Sequence, residues 1–324
     1  DFRFTQSINL GADNPIAFSK LYTGGHSKDS YCTMVSTQSI EVESGLQYLS
    51  KSKETIQNRS PNQELLPLTA SVNSRYHLEI GGCEVTALVE QFGSPLYILD
   101  EETLRATSRQ YRDAFQEHYK GKSQQGESQQ GESQVLYASK AWSCLAVCAI
   151  AASEGLGIDV VSAGEIHTAL KAGVNPDKIY FHGNNKSREE IQLAVESGCA
   201  IVADNWLDLE TLAKLGKLGV RSKTGGQTRV MVRFTPGIEC HTHDYIKTGQ
   251  IDSKFGFDPN SLDRVFEFIS KESSLSGVGV HAHIGSQIFE LQPHDDLAEV
   301  IVQALTKAQS YDLPATEINI GGGL

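Results

Sequence analysis

The chain has 324 residues, enough for two or three average domains or one large barrel. Its 40 acidic residues outnumber 28 basic ones for a net charge of −12, which argues against general binding to nucleic acid or to an anionic membrane. The apolar fraction of 39% lies below the roughly 45–50% of an average domain, and no apolar run approaches the about 18 residues of a membrane helix.

Residues 1–75 form a polar leader rich in Ser, Thr, Gln and Asn, expected to be mostly disordered. It lacks the basic start, apolar middle and small-residue exit of a signal peptide. Met34, the first methionine, offers an alternative start of translation. An organelle transit peptide also fits such a leader, although Glu41, Glu43 and Glu54 count against one. Residues 76–100 hold two strand-like runs, His77 to Ile80 and Leu96 to Leu99, around a short helix at Val85 to Phe92.

Residues 101–324 carry a different pattern, interrupted by a low-complexity loop at 121–134 in which Ser-Gln-Gln-Gly-Glu occurs twice in tandem. Such a repeat cannot bury a core and is expected on the surface. From Val135 onward short apolar runs alternate with amphipathic helices. The predicted strands are Val135–Ser139, Gly157–Val161, Lys178–His182, Ala200–Ala203, Arg229–Phe234, Val278–His283 and Glu317–Ile320. Ser162-x-x-Glu165 and Ser187-x-x-Glu190 fit the capping box, which satisfies two orphan donors reciprocally. Gly155, Gly173, Gly198 and Gly216 sit where helix C-caps are expected. Alternating strands and helices imply a parallel sheet with right-handed crossovers. The six cysteines, Cys32, Cys83, Cys144, Cys148, Cys199 and Cys240, are too sparse for a disulfide scaffold. They are read as reduced thiols, which points to a cytoplasmic setting.

The residues just past each strand separate an open sheet from a barrel. The strand ends carry Ser139-Lys140, Ser162, His182-Gly-Asn-Asn185, Asp204-Asn205, Thr235-Pro-Gly237, Gly285-Ser286-Gln287 and Gly321-Gly-Gly323. A rim decorated all the way round is what a barrel active site requires, whereas an open sheet concentrates its site at one switch point. The expected fold is therefore α/β, a (β/α)8 barrel with about seven of eight units present.

Three of these ends suggest chemistry together. Lys140, at an inner strand end, can lose its charge by desolvation and act as a nucleophilic amine. Gly321, Gly322 and Gly323 offer backbone N–H groups to a phosphate, and barrels place such sites after their last strands. His281 and His283 share a strand face by spacing. His241 and His243 repeat the His-x-His pattern, but no dedicated third ligand accompanies either pair, so no metal is expected. A reactive amine, a flat aromatic face and a phosphate clamp describe a pyridoxal phosphate site.

The segments Tyr137-Ala-Ser-Lys-Ala141, Gly157-Ile-Asp-Val-Val-Ser-Ala-Gly-Glu165, His182-Gly-Asn-Asn-Lys186, Lys254-Phe-Gly256, His281-Ala-His-Ile-Gly-Ser-Gln287 and Asn319-Ile-Gly-Gly-Gly-Leu324 resemble the diaminopimelate decarboxylase family. That family sits in the alanine-racemase-like barrel group of pyridoxal phosphate-dependent decarboxylases. The resemblance spans roughly residues 76–324 and implies a carboxy-lyase that converts meso-diaminopimelate to L-lysine and CO2. Relatives acting on ornithine, arginine or carboxynorspermidine, or a non-catalytic cofactor-binding homologue, are the alternatives.

By the same resemblance, Lys140 would carry the cofactor covalently and His283 would stack on its ring. Ser286 and Gly321, Gly322 and Gly323 would bind its phosphate, Asp159 and Arg233 would lie around the ring, and His182 would line the pocket. The family also implies a homodimer with an amino-acid substrate. Its Glu-Pro-Gly-Arg stretch, its Cys-x-Ser-Gly-Asp-type motif and most of its β-rich second domain have no counterpart here. The sequence is therefore expected to be a C-terminally truncated fragment that is inactive alone.

Overall fold

The computed structural model describes residues 4–9, 65–118, 133–223, 225–238, 254–288 and 290–323. It divides into two compact units, residues 27–110 and residues 1–26 with 111–324.

The larger unit is a closed barrel. Its seven parallel strands are β5 (Ser133–Ala138), β6 (Gly157–Val160), β7 (Ile179–Phe181), β8 (Ala200–Ala203), β9 (Thr228–Arg233), β10 (Leu275–His281) and β11 (Glu317–Gly321). An eighth strand, β1 (Phe4–Asn9), pairs antiparallel with both β5 and β11 and closes the ring. The barrel was expected to show about seven of its eight units, and six residues of the polar leader supply the closing strand, antiparallel to its neighbours. All seven expected parallel strands are present, within three residues of the predicted bounds. Between them lie α3 (Leu145–Ser153), α4 (Ala163–Lys171), α5 (Arg188–Ser197), α6 (Trp206–Lys217), α7 (Leu262–Lys271) and α8 (Gln292–Gln309). None of the described helices is long and apolar enough to cross a membrane.

The barrel interior is filled by Leu136, Tyr180, Ala200, Val202 and Met231, with Val278 packed against them. Such layers of inward side chains make a barrel a core and not a pore. Outside, each helix lays a buried stripe on the strands, such as Leu262, Val265, Phe266 and Ile269 of α7 at helical spacing.

Helix ends follow local chemistry, with two corrections. Ser187 and Glu190 form the full capping box of α5. At α4, Ser162 Oγ accepts the Glu165 N–H (3.3 Å), but the Glu165 carboxylate turns away to the ends of β5 and β6. Gly198 is left-handed at the end of α5 (φ 87°) as expected. Gly216 does not cap α6. It lies inside that helix, where an added Cβ would fall 2.2 Å from Ser274 Oγ, and Gly219 makes the left-handed turn instead (φ 81°).

The smaller unit holds a three-stranded antiparallel sheet of β2 (Ser71–Val72), β3 (Leu78–Ile80) and β4 (Cys83–Glu84), followed by α1 (Val85–Phe92). Strand β2 and the turns from Leu65 onward lie within the leader expected to be mostly disordered. Glu84 organises the sheet, accepting from Thr86 Oγ1 (2.6 Å), His77 Nδ1 (2.7 Å), Asn73 Nδ2 (3.0 Å) and Arg75. These donors hold its carboxyl at about 2. The expected strand at Leu96 to Leu99 is irregular chain, because Pro95 offers no N–H and Tyr97 faces solvent without a partner strand. Helix α2 (Glu101–His118) starts at Asp100, which accepts the Thr103 N–H (3.0 Å) and so caps it. The tandem repeat, Met34, His241 and His243 lie outside the described residues. Cys83, Cys144, Cys148 and Cys199 are free thiols.

Candidate active site

The C-terminal ends of the seven parallel strands meet at one rim, and each end is held by its neighbours. Just past β5 stands buried Ser139, whose hydroxyl donates to Glu165 Oε2 (2.7 Å). The same oxygen accepts the Val161 N–H just past β6 (2.7 Å). Glu165 thus ties the first two strand exits together, and this is why it does not complete the capping box. Lys140 follows Ser139 on a short 3-10 turn and is exposed. The burial expected of this lysine is not found.

Asp159 of β6 is buried and accepts from His182 Nε2 (3.1 Å) just past β7. The His182 ring meets the His281 ring edge-on, with centroids 4.8 Å apart. His281 ends β10, and its buried Nδ1 has no hydrogen-bond partner. His283 lies beyond the strand, so the two histidines do not share a strand face as their spacing suggested.

Burial, reinforced by nearby positive charge, keeps the His281 and His283 rings neutral. Burial drives His281 well below the ordinary imidazole range, and His182, Arg233, His283 and Lys140 push the same way. Burial also takes His283 down to about 3, reinforced by the Arg233 and Lys140 charges. Lys140 is therefore close enough to act electrostatically on both rings.

Arg233 at the end of β9 lies over the Phe255 ring, 4.3 Å from its centroid. Its Nη1 is 3.7 Å from Asp204 Oδ1 at the end of β8. Gly256 donates its N–H to Asp204 Oδ2 (3.1 Å). The Lys254-Phe255-Gly256 motif therefore supplies the seat of the guanidinium and a donor to its counter-ion. Sequence reasoning missed Asp204 as a site residue, although its place at a strand end was the available signal. The Lys254-Phe-Gly256 motif was singled out in the sequence, but the stacking role of Phe255 was not legible there, because it joins residues 22 apart through tertiary packing.

The last two strand exits form a glycine-lined cradle. Ala282 donates to Asn319 O (3.0 Å), Ile288 donates to Gly323 O (2.8 Å), and Gly321 donates to Asn319 Oδ1 (2.9 Å). Gly321 is left-handed (φ 71°), and a Cβ there would lie 2.6 Å from His283 Nδ1. A Cβ on Gly323 would lie 2.6 Å from Gly285 O. Ser286 stands half-buried in the facing loop. Lysine, neutral imidazole, guanidinium and a side-chain-free backbone loop fit a flat phosphorylated aldehyde. The barrel brings Lys140, Asp159, His182, Arg233, His283, Ser286 and Gly321 to Gly323 to this one rim.

Residues 116–324 match the family model described as pyridoxal-dependent decarboxylase, pyridoxal binding domain. The chain is 60% identical over 273 residues to diaminopimelate decarboxylase of Synechocystis sp., covering 82% of this chain and 55% of that protein. It is 42% identical over 260 residues to the Bacillus subtilis diaminopimelate decarboxylase, covering 79% and 55%. Among solved structures it resembles diaminopimelate decarboxylase from M. jannaschii in co-complex with L-lysine, with a TM-score of 0.62 at 27% identity, over 76% of this chain and 55% of that one. The chain thus spans about half the length of the curated relatives it matches. The family match runs through every strand exit of the rim, and on it the chain belongs to the pyridoxal-dependent decarboxylases.

Proposed function

We propose that the full-length protein carrying this chain decarboxylates meso-diaminopimelate to L-lysine and CO2 with pyridoxal 5′-phosphate. The observation that carries this reading is the convergence of Lys140, His283 and the Gly321 to Gly323 cradle on one rim. The 60% identity to a diaminopimelate decarboxylase supports the choice of substrate.

When bound, pyridoxal phosphate supplies the electron sink that lets a carboxylate leave as CO2. The chain's own residues hold and shape that chemistry. Lys140 provides the nucleophilic amine for covalent attachment. His283, kept neutral by burial, offers a flat face without a competing charge. The Gly321 N–H is held by Asn319 Oδ1, so the backbone of Gly322 and Gly323 and the Ser286 hydroxyl are the groups that would serve phosphate oxygens. Arg233 offers a positive charge to an anionic oxygen, and Asp159 orients His182. The full-length protein is read as a cytoplasmic homodimer.

The test is CO2 release by the purified full-length protein. Meso-diaminopimelate should be turned over faster than ornithine or arginine, and Lys140→Ala should abolish both turnover and the cofactor's near-visible absorbance. Faster turnover of ornithine overturns the substrate, and a wild-type protein that binds no pyridoxal phosphate overturns the whole reading.

A further inference from the structure

Lys186, in the loop after β7, is a buried lysine that the cofactor reading does not use. Its ammonium donates to Gly183 O (2.6 Å) and to Asp208 Oδ2 (2.7 Å) near the start of α6. The same Asp208 oxygen accepts the backbone N–H of Asp204 (2.9 Å). Asp204 in turn faces Arg233 with Oδ1, an oxygen that no hydrogen-bond donor reaches. A continuous series of contacts therefore runs from Lys186 through Asp208 and Asp204 to Arg233. All four groups are buried, and their two positive and two negative charges balance. Taking away one member of such a set leaves an uncompensated buried charge.

Resting on the cofactor reading above, we propose that Lys186 is a positioning residue for Arg233. By neutralising Asp208 and fixing the Asp204 backbone, it leaves Asp204 to pair with Arg233 and holds that guanidinium at the rim.

The electrostatics of Asp204 agree with this. Burial pushes its carboxyl up; the Arg233 charge, the Gly256 N–H and Lys186 bring it down, and Asp208 opposes them. Asp204 is faced by Lys186 from the β7 exit, Asp208 from α6 and Arg233 from β9. Arg233 is also within electrostatic reach of Asp159, His281 and His283, and Lys254 lies over the Phe255 ring at 5.2 Å. Loss of Lys186 removes one of the influences that bring the Asp204 carboxyl down and leaves Asp208 uncompensated beside it, so Asp204 takes up a proton more readily and its hold on Arg233 weakens. A lysine that merely braced the loop would give no such dependence on pH.

The experiment is equilibrium dialysis of pyridoxal 5′-phosphate against the full-length protein at pH 7 and pH 9. The proteins are wild type, Lys186→Met, Asp204→Asn and the double variant. Lys186→Met should bind at least tenfold more weakly at pH 7 and recover much of that loss at pH 9. Asp204→Asn should be weakened tenfold at both pH values, and adding Lys186→Met to it should cost no more than a further twofold. Affinity of Lys186→Met within threefold of wild type at pH 7, equal losses at both pH values, or additive losses in the double variant would each overturn the proposal. If Lys186→Met does not fold, Lys186→Gln takes its place with the same thresholds, and failure of both to fold shows a structural role alone and overturns it. Absence of binding by the wild type sinks the cofactor reading itself, an outcome distinct from these.

Discussion

His283 makes the acid behaviour of the fold calculable. In the unfolded chain an imidazole titrates near 6.5, whereas burial brings His283 to about 3 in the folded protein. Between those values the unfolded state binds more protons than the folded one, so stability is full above about pH 6.5 and is lost as pH falls toward about 3. The slope is about 1.4 kcal/mol per pH unit for each such histidine. His281 shifts in the same direction and adds to the loss. Urea unfolding at pH 7, 6 and 5 should show the decline, and His283→Gln should make it shallower. An unchanged slope in that variant would remove His283 from the account. The mechanism was only half legible in the sequence. The His-x-His spacing drew notice to both rings, but their neutrality comes from burial and from Arg233 and Lys140, which spacing does not reveal.

Helix α6 shows packing overriding intrinsic propensity. Replacing a glycine within a helix with alanine ordinarily gains up to about 1 kcal/mol. At Gly216, however, the new Cβ would lie 2.2 Å from Ser274 Oγ and 2.5 Å from its Cβ, and such overpacking costs about 1–3 kcal/mol. Gly216→Ala should therefore destabilise the protein by about 1–2 kcal/mol in denaturant unfolding. A stabilised variant would mean that Ser274 moves freely. The glycine is visible in the sequence but its spacing points to a cap, because local pattern cannot show what lies across a helix. The parallel strands were far more legible. Each is a short, mostly buried run such as Ala200–Ala203, and those before α4, α5 and α6 lead into helices with side-chain N-caps; both signals are local. The Lys186–Asp208 pair was not legible, since it joins residues 22 apart through tertiary packing.

The connection between α2 and β5 tests how much the barrel depends on its longest low-complexity stretch. It spans the 14 residues between His118 and Ser133 and contains both repeat copies. Deleting one five-residue copy changes loop-closure entropy by under about 0.5 kcal/mol, because that cost grows only with the logarithm of length. Thermal unfolding should shift by no more than about 2 °C, and a larger loss would show that the repeat makes native contacts. The closing strand β1 was the least legible part of the barrel. Phe4-Thr-Gln-Ser-Ile-Asn9 is mostly polar, and its partners lie more than a hundred residues away.

The cradle also bears on how this sequence can diverge. Gly321 is closed to other residues twice, by a left-handed backbone and by His283 Nδ1 standing where a side chain would begin. Either constraint alone could be relieved, by an asparagine that tolerates the backbone or by a ring that swings aside. Together they leave the position no accessible neighbour in sequence space. Half-buried Ile320 beside it keeps several aliphatic options. Drift along this strand must therefore go around a single immovable codon, and the freedom to change lies in the side chains that surround it.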